Sequence, residues 1–171
     1  MNGRIIGGTI VISALVAGAT MYYLQVYAFY DKVEYTPDDV QLTMLATDAP
    51  EAILAEDFRG IDADSSPLRF RACFTTPMSQ AMLTETYVTY ENAQPLTAPG
   101  WFDCFDAETI GAALETGEAI AFLGQENIEY GVDRVVAVFD DGRAYAWHQL
   151  NHCGDKEYDG TPAGPSCPPR D

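Results

Sequence analysis

The sequence predicts an α+β protein: one amino-terminal transmembrane helix, then a small antiparallel-sheet domain with one short helix, stapled by disulfides. Three observations predict it. Residues 5–24, "IIGGTIVISALVAGATMYYL", carry no charge. The run "DRVVAVFDDGRAYAWHQL" places Asp141-Gly142 between two apolar stretches, a hairpin signal. Four cysteines, Cys73, Cys104, Cys153 and Cys167, all lie beyond the apolar run.

At about 1.5 Å rise per residue, 20 helical residues cover roughly the 30 Å of a bilayer core. Tyr22, Tyr23, Tyr27, Phe29 and Tyr30 extend the apolar character with rings suited to a membrane–water interface. Residues 1–30 therefore read as an anchor. A cleaved signal peptide is the competing reading, with 5–16 as its apolar region and Ala17-Gly18-Ala19 as small residues for cleavage. Cleavage there would leave "TMYYLQVYAFY" as an exposed apolar start, and Arg4 alone charges the segment before the run, so retention is expected. Arg4 and the α-amino group precede the span, whereas Asp31, Lys32 and Glu34 follow it. The charge rule then puts the amino terminus in the cytoplasm and exports the rest, to the periplasm if the span sits in a bacterial inner membrane. An even number of cysteines on the exported side agrees independently. Gly3, Gly7, Ala14 and Gly18 fall within about 60° on the helical wheel. Gly7, Ala14 and Gly18 are the candidate contacts with an integral membrane complex, since small residues let helices approach closely in lipid.

Residues 31–39, "DKVEYTPDD", read as a polar stalk broken by Pro37, and 40–171 as the exported domain. "VQLTMLA" and "ILAEDFRGI" have the composition of strands. "LRFRACF" alternates, with Leu68, Phe70, Ala72 and Phe74 on one face and Arg69, Arg71 and Cys73 on the other. "DAETIGAALETG" is the one good soluble helix, with Asp106 as N-cap, Glu108 in the first turn and Gly117 at the C-cap. "EAIAFLG" is a strand, and the Asp141-Gly142 hairpin follows. The last segment, "GDKEYDGTPAGPSCPPRD", is too rich in Gly, Pro and Asp to bury a core and needs a staple.

The residues that could carry chemistry are few. His148 and His152 are four apart, a metal-ligand spacing on a helix but one that separates them by about 13 Å on a strand. The stretch continues a hairpin, so a strand is expected, with His148 a surface or edge residue and His152 a loop residue bonded within its turn. Cys153 follows His152 with no second cysteine nearby, which departs from the haem-attachment pattern, and no spacing is a zinc knuckle. Pairing Cys153 with Cys167 closes a 13-residue loop, worth about 3 kcal/mol, and leaves Cys73 for Cys104. Residues 62–66, "DADSS", begin like a calcium loop, but Pro67 and Cys73 stand where that loop needs glycine and glutamate. Asp140 and Asp141 read as a solvated turn. No nucleophile elbow, phosphate loop or metalloprotease motif is present, so no catalytic residue, metal or cofactor is expected.

Beyond Tyr30 stand 26 acidic residues against eight basic ones, a net charge of −18. Such a surface repels nucleic acid and attracts basic proteins over roughly 10 Å at 0.1 M salt. In "RACFTTP", "APGWFDCFDAETIGAALETG" and "WHQLNHCG" the chain resembles a family of uncharacterised single-span membrane proteins of alphaproteobacteria, a domain of unknown function. The resemblance implies a bacterial, periplasmic setting and transfers no activity. The expected role is a non-enzymatic accessory or assembly subunit of a larger envelope complex. An electron-transfer complex, respiratory or photosynthetic, is the sharper version, with the acidic domain steering a basic periplasmic protein such as cytochrome c. The alternatives are a periplasmic small-molecule sensor or binding module, expected to line a deep pocket with Trp101, Tyr145 or Trp147, and a membrane-tethered hydrolase.

Overall fold

The computed structural model describes residues 3–154, 158, 160 and 167. The chain divides into two units, Met1–Asp31 and Lys32–Asp171. The first is helix α1 (Gly3–Tyr23), continued by one wider π-type turn, Leu24–Ala28. Together Gly3–Ala28 make 26 residues, long and apolar enough to cross a membrane. Two hydroxyls in its first half, Thr9 and Ser13, do not interrupt it. Thr9 Oγ1 donates to the Ile5 carbonyl and Ser13 Oγ to the Ile10 carbonyl, both at 2.9 Å, so neither needs water.

The second unit is built on a six-stranded sheet. Its strands in chain order are β1 (Asp31–Val33), β4 (Glu56–Asp62), β5 (Arg71–Thr75), β6 (Ala119–Glu129), β7 (Val132–Phe139) and β8 (Arg143–Leu150), with the separate pair β2 (Gln41–Thr43) and β3 (Pro50–Ala52) between β1 and β4. Across the sheet the order is β1-β4-β5-β8-β7-β6, and β4 through β6 pair antiparallel. The hairpin loop is residues 140–142. The Gly142 N–H donates to the Phe139 carbonyl at 3.1 Å, and Gly142 takes φ 87°, a left-handed conformation that glycine adopts without a Cβ penalty.

Every residue of β7 is buried, so both faces of the sheet are covered. On one face Phe74, Phe122 and Val136 meet Leu42 of the small sheet, Ile53 just after it and Leu83 of helix α2 (Gln80–Thr86). On the other, Ala119, Phe139 and Tyr145 meet Ala113 and Leu114 of helix α3 (Ala107–Thr116). There the Cys73–Cys104 bond ties residues 91–106 to β5.

Helix α3 has the expected caps. The Asp106 carboxylate accepts from the Glu108 and Thr109 N–H groups, and Gly117 takes φ 78°. Two details go beyond the sequence reading. Within residues 31–39, read from sequence as a polar stalk, Asp31–Val33 is an edge strand bonded to β4, and Pro37 opens a short 3₁₀ turn, Pro37–Asp39. The Asp39 carboxylate closes that turn onto the Thr36 N–H at 2.7 Å, so proline starts local structure here. The domain also has a second helix, α2. Ser79 caps it and a single buried residue, Leu83, docks it, too little periodicity to stand out in sequence.

Candidate functional site

His148 is not at an edge. It lies on β8, an interior strand, and is 5% exposed. Across the ladder its partner is Arg134 on β7. Arg134 Nε–H donates to His148 Nε2 at 3.0 Å, so that nitrogen is an acceptor and the ring proton sits on Nδ1, which meets the Pro67 carbonyl at 2.7 Å. Both ring nitrogens are thereby used, and neither is open to a metal. Phe70 stacks on the imidazole at 4.8 Å between centroids, and the Arg134 guanidinium lies 4.4 Å from the same ring's centroid. Burial, and then the charge of Arg134, lower the His148 pKa to about 4. Arg134 Nη1 also donates to the Asp38 and Asp39 carbonyls at 2.9 and 3.1 Å, which pins the 3₁₀ turn to the sheet. Its own pKa is lowered by burial against the pull of Asp39 and Asp62.

A second polar knot closes the far end of the sheet. The buried Asp133 carboxylate accepts from the Tyr90 hydroxyl (2.9 Å), the Asn127 N–H (2.9 Å) and Asn151 Nδ2 (2.6 Å). Burial, then the Asp133 charge, push the Tyr90 phenol up. Asn151 Oδ1 in turn accepts from the Cys153 and Gly154 N–H groups, folding 151–154 back onto the β6–β7 turn. Gly154 lies so close to Gly131 that a Cβ on either would meet the other's backbone. His152 is exposed on this turn, beside the Cys153–Cys167 bond. One of its ring nitrogens and the two sulfurs lie within 4.8 Å of one another, but the sulfurs are bonded to each other and offer no thiolate.

The remaining sequence candidates do not converge. Trp147 is sealed in the core, its Nε1 donating to Gln149 Oε1 at 3.1 Å. Tyr145 packs edge-on to Phe105 and Phe139 instead, and Trp101 lies by β1 and β4. Asp62, Asp64 and Ser66 do share one cavity, but Arg134 and His148 line it too, and burial holds the Asp62 carboxyl above its ordinary value. Gly7 and Gly18 lie on α1 with nothing within 4 Å of where a Cβ would be, and Ala14 is exposed.

What sequence reading missed is a groove of about 710 Å³ between α3, β6 and residues 89–95. Ala107, Gly111, Leu114, Pro95, Ala119 and Ala121 give it a small-residue, mostly apolar lining, while Glu91, Glu108 and Glu115 also border it. Among the described residues no Lys, Arg or His lines it. Chemically it offers negative potential over a shallow apolar surface, which suits the aliphatic stems and charged heads of Lys and Arg. Only the 3.6-residue spacing of Gly111, Leu114 and Glu115 hinted at it. Residues 40–168 match a family of unknown function, DUF6446. No curated protein and no solved structure matches the chain.

Proposed function

The chain belongs to DUF6446, and for this member of a family without a known activity we propose a non-enzymatic role as a bitopic accessory or assembly subunit of an envelope complex. In this reading the helix lies in the inner membrane of an alphaproteobacterium with its amino terminus in the cytoplasm. The disulfide-bonded domain stands in the periplasm and docks a basic protein in the acidic groove. The carrying observation is that groove, concave and bordered by carboxylates without a cation. Support comes from how the titratable groups inside the domain are spent: buried His148 and Asp133 and half-buried Tyr90 each hold one segment to another. An electron-transfer complex is the sharper form, since a basic cytochrome c is a partner that negative potential would steer. Gly7, Ala14 and Gly18 supply lateral contact with a neighbouring helix.

Mild-detergent purification of the tagged full chain, with identification of co-purifying proteins, tests this. A partner should be retained at roughly 50 mM salt and weakened at about 300 mM. Glu108→Lys with Glu115→Lys, or Ala112→Trp to fill the groove, should release it while thermal unfolding stays unchanged. Retention by all these variants would remove the groove from the reading, and release by Gly18→Leu alone would move the contact to the helix.

A further inference from the structure

A second concavity has the opposite electrostatic character. It encloses about 350 Å³ between β1, β4 and residues 101–102, and Lys32, Arg59, Phe58, Trp101 and Phe102 are among its lining. Two of the basic residues beyond the apolar helix line this one cavity, and among the described residues no acidic one does. We propose that this cavity takes the phosphate of an anionic phospholipid.

Three observations carry this. The first is charge, since a pair of cations stands apart in a domain of net negative charge. Arg59 Nη2 holds Asp103 Oδ1 at 2.6 Å, but the two side chains are 54% and 76% exposed. Such surface pairs exchange partners at little cost, and a guanidinium binds phosphate through two parallel N–H donors at least as well as carboxylate. The second is the walls: the Arg59 guanidinium lies 5.6 Å from the Phe102 ring centroid, and Trp101 meets Phe102 edge-on at 6.3 Å. Indole beside Lys and Arg is the side-chain set favoured where a headgroup meets the first acyl carbons. The third is covalent. Lys32 follows the last helical residue, Ala28, by four residues, and chain of that length spans at most about 14 Å. A cation held that close to the end of a span is within reach of an anionic lipid surface. Phosphate chemistry could also come from a free ion, but a tether this short favours lipid. The inference rests on the anchor reading above, and its role is orientation: this cavity faces lipid, while the acidic remainder is repelled from it.

The full chain, reconstituted in vesicles whose acyl chains carry bromine close to the glycerol, provides the test. Tryptophan fluorescence reports proximity, and subtraction of a Trp101→Phe variant isolates Trp101 from the sealed Trp147. Quenching of Trp101 should be strong with phosphatidylglycerol, weak with phosphatidylcholine alone, and lost in Lys32→Gln with Arg59→Gln, whose thermal unfolding should match the parent. Equal quenching in both lipids, or in the double variant, overturns the proposal. So does inorganic phosphate binding to the detergent-solubilised protein as tightly as phosphatidylglycerol does. Alkaline carbonate washing separates the two failures: release of the chain from vesicles sinks the anchor reading itself, whereas retention without headgroup-dependent quenching sinks only the phosphate site.

Discussion

Arg71 and Arg134 are both buried arginines on neighbouring parts of one sheet, and they face opposite layers. Arg71, 4% exposed, gives its N–H groups to the Leu68, Phe70, Leu96 and Thr97 carbonyls and lies 5.8 Å from the Phe105 ring centroid. Arg134, 7% exposed, gives two bonds to the Asp38 and Asp39 carbonyls and the third to an imidazole. Among the described residues no carboxylate stands within ion-pair distance of Arg134. Each guanidinium fastens a stretch without regular strand structure across one face: 96–97 by Arg71, 38–39 by Arg134. The difference lies in the acceptors. Carbonyls do not titrate, whereas His148 does, so the hydrogen bonds of the Arg134 knot include a group that takes up protons.

The largest effect should come from breaking the carbonyl knot. Arg71→Ala takes the donor from the buried Phe70 carbonyl and from the part-buried Leu96 and Leu68 carbonyls, at about 1–3 kcal/mol for each group left orphaned, so a total loss of roughly 3–5 kcal/mol is expected in urea unfolding. A loss under about 1 kcal/mol would mean the carbonyls find water, and the knot would be incidental. The imidazole knot comes next. The folded pKa of His148, about 4, lies below its ordinary 6.5, so the folded state binds this proton less readily than the unfolded one. The contribution is complete above pH 6.5 and is lost as the pH falls toward 4, amounting to about 3 kcal/mol over the whole window. Urea titrations of the parent and of His148→Gln between these limits should diverge, with the variant flatter. Parallel curves would show that His148 is not the proton-sensitive member. The smallest effect is a control remote from Arg134 and His148. Asp106→Ala removes the α3 cap at about 1 kcal/mol and should leave the pH slope above about pH 5 untouched, since the lowered Asp106 carboxyl titrates only below that.

These arginines also show where sequence reasoning ends. The caps of α3 and the loop of the β7–β8 hairpin were legible because capping and turn chemistry act within a few residues. The disulfide partners follow from loop economy alone. Alternation correctly set Arg71 and Cys73 opposite Ala72 and Phe74, but it could not say that residues 91–106 would cover the first pair. That segment has no periodicity, and a charged residue on a strand reads as solvent-facing until its cover is known. His148 was misplaced for the same reason: its burial depends on Pro67 and on a turn at 38–39, which are 81 and about 110 positions away. The groove was invisible because its walls come from three separate stretches, 89–95, 107–115 and 119–121.

The sheet order has a consequence for how the protein is made. Strand β8 is inserted between β5 and β7, yet 67 residues separate Thr75 at the end of β5 from Arg143 at the start of β8. At translation rates of about 5–20 residues per second, β5 waits roughly 3–14 s for that neighbour, with a bare hydrogen-bonding edge and Phe74 uncovered. Cys104 is made well before β8, so the Cys73–Cys104 link can close during the wait and draw residues 91–106 over the waiting strand. A newly made chain can thus have the Arg71 and Cys73 face of β5 covered through a covalent link before the strand that belongs beside it exists.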